Sequence, residues 1–383
     1  MSKHKAAPSA WPKAPGFGMT VAGFVLMGLM MTGAAVAPGQ SRIVNARLET
    51  HAATGGLEAE MRTFLAAQGE PGWMGYAFPA IDNGHESCCW ENVSALSRNL
   101  CGRCALESEH GSKIQGAFTD TSGNGTEHLE GSAGMIALLR AADHRIGEVR
   151  TFSENCEVDA GGLRVVWLTG VTAAESVAVL RRIVDGGNLD EHEERRAAEG
   201  ALAAIAMTAD PSADRAMESF VAASRPEKLR SQAAFWLGSE RGAAGLKVLE
   251  GMAKGDPSDH VREQVAFAYS VSQEPRAADD LIRMAKEDGS GHVRGQAMFW
   301  LAQKAGRRAA ETIASAIEND PDTATKKSAV FALYNMPREE GVPLLIQVAK
   351  TNKNRDVRKQ AFFWLGQTND PRALEFFEEV LGR

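Results

Sequence analysis

"SQAAFWLG" (231–238), "GQAMFWLA" (295–302) and "KQAFFWLG" (359–366) are three versions of one phrase at equal intervals. Aligning each on the residue two before it uncovers two more copies midway. Leu229, Val261, Val293, Thr325 and Val357 then head five segments, each 32 residues after the last. Arg230, Arg262, Arg294, Lys326 and Arg358 follow in register, as do Ala233, Val265, Ala297, Ala329 and Ala361, then Phe235, Phe267, Phe299, Phe331 and Phe363. The second halves repeat too, with Leu249, Leu281, Ile313, Leu345 and Phe377 at the same spacing. A sixth, weaker copy starts at Ala197, with Ala201 and Ile205 in the apolar slots. A fixed period of this length means stacked supersecondary units.

Each unit reads as two short helices. In the first, positions 1, 5, 8 and 9 are apolar, the pattern of an amphipathic helix. Between units stand "GDPSD" (255–259), "NDPDT" (319–323) and "TNKNRD" (351–356), whose Asp, Asn and Pro residues stop one helix and cap the next. Antiparallel helix pairs stacked in register make an α-solenoid.

The segment "DVRKQAFFWLGQTNDPRALEFFEEVL" (356–381) resembles a HEAT repeat of the type described in phycobilisome lyases. Val357, Arg358, Ala361, Leu365, Gly366, Asp370, Pro371, Ala373 and Leu374 fill that pattern. Other units depart from it, with Ser270 and Tyr334 in place of Gly366, and Ala243-Ala244 in place of Asp370-Pro371. The resemblance implies an armadillo-like helical stack and, for function, a scaffold that binds a protein or peptide; only a few such proteins are lyases or hydroxylases.

The Phe-Trp phrase has two readings: a stacking platform for bases, sugars or a chromophore, or packing. At about 100° per residue, positions 1, 5, 8 and 9 fall near 0°, 40°, 340° and 80°. The packing reading sets Trp236, Trp300 and Trp364 in the middle of the apolar stripe. Phe at position 7, near 240°, widens the buried arc. Position 8 alternates Trp236, Ala268, Trp300, Ala332, Trp364, large beside small, as interdigitating layers require. The recognition surface is then expected on the second helices, along a concave face, at Lys247, Glu250, Asp279, Arg283, Glu311, Ser315 and Gln347. Residues 197–383 hold 25 Lys+Arg against 26 Asp+Glu, a mixed surface that suits a protein or peptide better than a nucleic acid.

Ahead of the solenoid the composition shifts. Residues 14–41 carry no charge and include "MTVAGFVLMGLMMTGAAVA" (19–37), preceded by Lys3, Lys5 and Lys13. This is a secretory signal or an uncleaved N-terminal anchor, with Ala35 and Ala37 as rival cut sites. Export to the periplasm or beyond is the expectation, with membrane attachment only through that segment. The boundaries read as 1–37 signal or anchor, 38–170 acidic cysteine-bearing α+β module, 171–196 capping helix region and 197–383 solenoid.

Within the module, "SRIVNARLETHAA" and "GGLRVVWLTG" read as strands, "GGLEAEMRTFLAAQG" as a helix and "MIALLRAADHRIGEVRTFS" as a hairpin turning near Asp143. A helix starts at Thr172. "TFSENCEVDAGGLRVVWLTGV" resembles a segment of exported bacterial HEAT-repeat proteins of unassigned function, which implies architecture and no chemistry. All five cysteines lie here: Cys88, Cys89, Cys101, Cys104 and Cys156. In an oxidising compartment they read first as disulfides, with Cys156 joined to Cys88 or Cys89. Two alternatives stand beside that reading. Cys88, Cys89, Cys101 and Cys104 supply the four thiolates of a structural zinc site. "CGRC" (101–104) looks like the redox pair of thioredoxin-type proteins, and on that reading the chain is a thiol-disulfide or lyase-like enzyme with the solenoid as substrate receptor.

No G-x-S-x-G, P-loop, G-x-G-x-x-G or H-E-x-x-H occurs. His260 and His292 share one repeat position but sit a helix spacing apart, too far to share an ion. The iron-dependent hydroxylases of this fold use His-Glu pairs on repeat helices. Here His85-Glu86 and His192-Glu193 lie outside the five clear units, so no catalytic, cofactor or metal residue is assigned and a non-enzymatic role is expected.

Overall fold

In the computed structural model, residues 42–81, 104–107, 134–154 and 156–382 are described, all of them within one compact unit, Gly39–Arg383. The apolar run at 19–37 lies outside them, as do Cys88, Cys89 and Cys101. No helix among the described residues is long and apolar enough to cross a membrane.

The N-terminal part is built on two sheets. Strands β2 (Arg47–Ala52), β3 (Gly72–Pro79), β5 (Gly134–Ala142), β6 (Arg145–Ser153) and β8 (Arg164–Thr169) form one in the order β2-β8-β3-β5-β6. Here β2, β8 and β3 run parallel while β3, β5 and β6 are antiparallel. Strands β1 (Arg42–Val44), β4 (Cys104–Ala105) and β7 (Glu157–Asp159) form a second, smaller sheet, order β1-β7-β4. The expected hairpin is β5-β6, and its turn residues Asp143 and His144 both take positive φ, 51° and 58°. That is the twist a two-residue hairpin demands, and short polar side chains tolerate it best. The turn is held by helix α1 (Leu57–Ala66), because the backbone N–H of His144 donates to the Gln68 side chain just past its end.

Helix α2 (Ala173–Gly186) starts where the sequence places it. Thr172 accepts from the backbone N–H of Glu175, and the Glu175 carboxylate accepts from the Thr172 N–H, a reciprocal cap. Helices α3 (His192–Met207) and α4 (Pro211–Phe220) form the weak sixth copy. Gly200 of α3 lies so close to the Val149 carbonyl of β6 that a Cβ there has no room, so the sheet seats directly on the first helix pair. One apolar core therefore runs unbroken from Leu57, Tyr76 and Leu168 through to Phe376 in the last pair.

Five pairs follow: α5 (Glu227–Glu240) with α6 (Gly242–Gly255), α7 (Asp259–Val271) with α8 (Ala277–Glu287), α9 (Gly291–Lys304) with α10 (Arg307–Asn319), α11 (Thr323–Tyr334) with α12 (Arg338–Thr351), and α13 (Arg355–Gln367) with α14 (Pro371–Leu381). Successive first helices lie in broad contact, α5 on α7 on α9 on α11 on α13, whereas successive second helices touch at few places. Positions 1, 5 and 9 of the first helices, such as Val293, Ala297 and Leu301, are fully buried.

Position 2 sets the stacking. Arg230 grips Asp256 with both arms of its guanidinium, Nε to Oδ2 at 2.8 Å and Nη2 to Oδ1 at 3.1 Å. Arg262 grips Asp288 and Arg294 grips Asp320 in the same way. The third arm reaches back across the joint: Arg262 donates to the Asp256 carbonyl and Arg294 to the Asp288 carbonyl, both at 2.8 Å. Each carboxylate also accepts from the backbone N–H of the residue that opens the next helix, Ser258, Ser290 and Asp322. The carboxylates hold the Arg262 and Arg294 guanidiniums above their ordinary pKa, chiefly through these hydrogen bonds. Arg230 and Asp256 are 5 % and 7 % exposed, so the pairing is largely desolvated. In the fourth unit both partners change together. Lys326 donates to the Glu318 carbonyl, and the Asn352 amide donates to the Glu318 carboxylate.

Removing one member of a desolvated pair strands the other. Arg294→Met should therefore destabilise the chain by about 3–5 kcal/mol, while Arg294→Met with Asp320→Leu recovers most of that loss. Urea unfolding followed by circular dichroism checks it; a single-substitution cost below about 1 kcal/mol is at odds with a desolvated pair.

Candidate functional site

The helical wheel set Trp236, Trp300 and Trp364 at the centre of the buried stripe, and the structure moves them to its margin. All three are half-buried against the core, whereas Ala268 and Ala332 at the same position are fully buried. The reason is angular. The centre of the fully buried positions 1, 5 and 9 is near 40°, so position 8 lies about 60° to one side. Phe at position 7 lies further round and is half-buried in the first four units, and Phe363 is 55 % exposed.

Positions 4, 7 and 11 of the first helices are thus mostly half-buried, and the residues just before each unit in the same arc, Lys228, His260, His292, Ala324 and Asp356, are exposed. Position 7 is the Phe row. Position 4 is Gln232, Gln264, Gln296, Ser328 and Gln360, and position 11 is Ser239, Val271, Gln303, Asn335 and Gln367. A line of rings runs down the row with amide and hydroxyl groups on both sides. The signal was present in the sequence as a Gln three residues before each Phe in four of five units, but the period of apolar residues drew attention to the other face.

The rings form a continuous ladder. Phe235 stacks on Phe267 (centroids 5.9 Å apart, planes 14° apart), and Phe299 stacks on Phe331 (5.7 Å, 8°). Trp300 leans on Phe267 and Trp364 on Phe331, each at 4.7 Å. Trp300 also meets the edge of Phe299, as Trp364 meets that of Phe363, both at 4.9 Å. Trp300 and Trp364 each reach back to the preceding unit, where position 8 is Ala. Phe267 and Phe331 thus each have one ring neighbour from the unit before and one from the unit after. Gln264, Gln296 and Gln360 make no side-chain hydrogen bond among the described residues, while Gln232 donates to Glu199 at 2.7 Å.

The seven second-helix positions are placed as follows. Lys247, Glu311, Ser315 and Gln347 are exposed. Glu250 takes Lys254 at 2.8 Å and Arg283 of the next unit at 3.3 Å, and the hydrogen bond from Lys254 pulls its carboxyl below the usual range. Arg283 also pairs with Asp280, and Asp279 pairs with Arg308. These charges bridge neighbouring units, as do Lys350–Glu379 and Arg372–Glu339.

A second concavity, a cleft of about 610 Å³, lies between the β5-β6 hairpin and α2–α3. Its arginines are engaged: Arg140 with Glu107 at 3.0 Å, Arg196 with Glu148 at 2.6 Å and Arg145 with Glu193 at 3.8 Å. Cys156 is 1 % exposed, packed with Trp73, Phe152 and Trp167 on the far side of the sheet. Its connection, the proposed zinc set and the Cys101–Cys104 pair involve residues or side chains outside those described.

Residues 310–383 match the family model described as HEAT repeats. No curated protein matches the chain. Among solved structures, human deoxyhypusine hydroxylase in complex with glycerol is similar at 16 % identity, covering 55 % of this chain and 80 % of that one. The TM-score is 0.29, too low an overlap to support any inference.

A half-exposed ring contributes less to stability than a buried one. Phe299→Ala should destabilise the chain by about 1–2 kcal/mol, against about 3–5 for a fully buried Phe. Thermal or urea unfolding reads this directly, and a loss of about 4 kcal/mol or more returns the Phe row to the core.

Proposed function

We propose that this HEAT-repeat chain is a non-enzymatic scaffold that holds a protein or peptide partner, and that it does so outside the cytoplasm. The observation that carries the reading is one face of the first helices, where a Phe stands in register in all five units, partly exposed in four and exposed at Phe363, beside unbonded amides at Gln264, Gln296 and Gln360. Exposed contiguous apolar surface rimmed by polar groups marks interaction sites, and aromatic side chains give large contact area at small entropic cost. The second helices are the weaker candidate, because Glu250, Asp279 and Arg283 already bridge units. Placement outside the cytoplasm is supported by the Lys3, Lys5, Lys13 cluster ahead of the apolar run 19–37. The competing enzyme reading depends on Cys101 and Cys104; a disulfide-reductase assay comparing wild type with Cys101→Ser separates it, and the scaffold reading expects both to be inert.

The test of the seat uses the full chain as bait in native envelope extract. Phe299→Glu with Phe331→Glu should lose the captured partner at least about tenfold, a loss of about 1.4 kcal/mol in binding. Lys247→Glu with Glu311→Lys should retain it. The reverse pattern moves the partner to the second helices, and capture unchanged by both pairs removes the solenoid from the interaction.

A further inference from the structure

We propose that the open edge of β2 is the seam of a homodimer, in which β2 pairs antiparallel with β2 of a second copy about a two-fold axis at Thr50. The two five-stranded sheets then become one continuous sheet, within the about ten strands that an open sheet sustains. The seam is no part of the helix pairs and is independent of what the solenoid holds.

The backbone defines the edge. Strand β2 pairs in parallel with β8, from Arg47 beside Arg164 to Ala52 beside Thr169. The N–H of Arg47 donates to the Leu163 carbonyl and that of Ala53 to the Thr169 carbonyl, both at 2.9 Å. Alternate residues therefore serve β8, and Leu48, Thr50 and Ala52 turn their main-chain groups the other way. Among the described residues no strand pairs with that side. All six residues of β2 are exposed, Leu48 at 46 %. The Thr54 N–H takes one lone pair of the Ala52 carbonyl at 2.9 Å and leaves the second.

The two edges of the sheet are treated differently. Folded proteins guard a free edge with a covering helix, a bulge, a proline or an unpaired charge. The other edge strand, β6, has α3 laid against it at Gly200 and an irregular register beside Arg140 and Ala141. Strand β2 has none of these guards. Its register is regular throughout, and it contains no Pro. Its polar side chains are tied to their own molecule on the face carrying α1: Arg47 to Glu70, Glu49 to Arg164 and His51 to Glu60. On the opposite face stand Leu48, Thr50 and Ala52, all uncharged.

The occupant follows from self-complementarity. With the axis at Thr50, outward groups meet outward groups: Thr50 pairs with the partner's Thr50, and Leu48 with the partner's Ala52, giving about six N–H···O bonds. Uncharged side chains then lie together on one face. On the other, Glu49 stands opposite the partner's His51, and its carboxylate, holding Arg164 at 2.9 and 2.8 Å, keeps lone pairs for that imidazole. Sliding the pair one step sets Glu49 on the partner's Glu49 or His51 on the partner's His51, and like charges directly opposite are unfavourable. The strand's own sequence thus selects both the occupant and the register. A seam of six residues falls below the area of about 1,200 Å² of stable complexes, so the association is weak and reversible.

The experiment follows the mass of the full chain by sedimentation velocity from about 1 to about 300 µM, with hydrogen exchange read in parallel. Expected is a passage from one chain to two, with exchange at Leu48, Thr50 and Ala52 slowing over the same range. Thr50→Pro removes the central outward N–H while leaving the bonds to β8, and Leu48→Lys sets a cation on the seam. Each should weaken dimerisation about tenfold or more. Should Thr50→Pro fail to fold, Leu48→Lys alone decides. Both variants keep the apolar run 19–37, so association through that run survives them and is told apart. With oxidised glutathione, Thr50→Cys should link two chains above the wild-type background, whereas Ala52→Cys, which faces the partner's Leu48, should not. A chain that stays single throughout the range overturns the proposal, as does a dimer that survives Leu48→Lys or leaves exchange in β2 unchanged. Slowed exchange in β2 only when envelope extract is added gives the edge to another polypeptide and overturns the second copy.

Discussion

The stack depends on one charged contact made over and over. In the first three of the five units an arginine at the second position closes the unit on itself by holding the Asp at the end of its second helix, 26 residues on. In the second and third units its third arm also takes the Asp carbonyl of the preceding unit and so ties two units together. The same carboxylate accepts from the backbone N–H of the residue that opens the next helix, Ser258 or Ser290. Such a group cannot be half present. A buried carboxylate without its arginine is costly, whereas an exchange of both partners is tolerated. The fourth unit shows that pairing rule at work: Lys326 and Asn352 replace Arg and Asp together, and both turn to Glu318 instead. Because the joints are alike, residues at one repeat position fall into line along the stack. That alignment turns a Phe every 32 residues into a ladder.

The ladder explains how large apolar side chains are kept on a solvent face. Each Phe of α7 and α11 meets rings from the units before and after, and the Trp of every other unit fills the space beside an Ala. The rings bury one another as much as they bury themselves in the core. The row is thus a packing device along the stack and an apolar strip across it.

What was legible in the sequence was local or periodic. The helix pairs follow from the 32-residue register, the Thr172 start from its capping box, and the β5-β6 hairpin from alternation around Asp143. The misplaced element was the tryptophan. A helical wheel gives the angle of a residue but not which neighbour covers it, and a position about 60° from the stripe centre is decided by the adjacent helix alone. The sheet order β2-β8-β3-β5-β6 was out of reach for a related reason. It brings β8 between β2 and β3, a pairing across more than a hundred residues that no local pattern encodes. Strand β3, "GWMGYAFP", is buried on both faces and so shows no alternation to read. The amide row was visible but silent, because a Gln beside a Phe acquires meaning only once the Phe is known to face water.

The sheet has a mechanical consequence for binding. It is not tethered beside the solenoid but fused to it, through α3 lying flush on β6 at Gly200 and through one core that continues into the last helix pair. A stack free at that end could twist and change the spacing of its first helices; one seated on a sheet is stiffer. Stiffness matters for a partner held across several units, since contacts at fixed intervals are then made without first being ordered. The entropic cost of association then falls on the partner. A pre-set row offsets part of that cost by presenting many weak contacts at fixed intervals. For such a row, the regularity of the units matters more to recognition than any single residue on them.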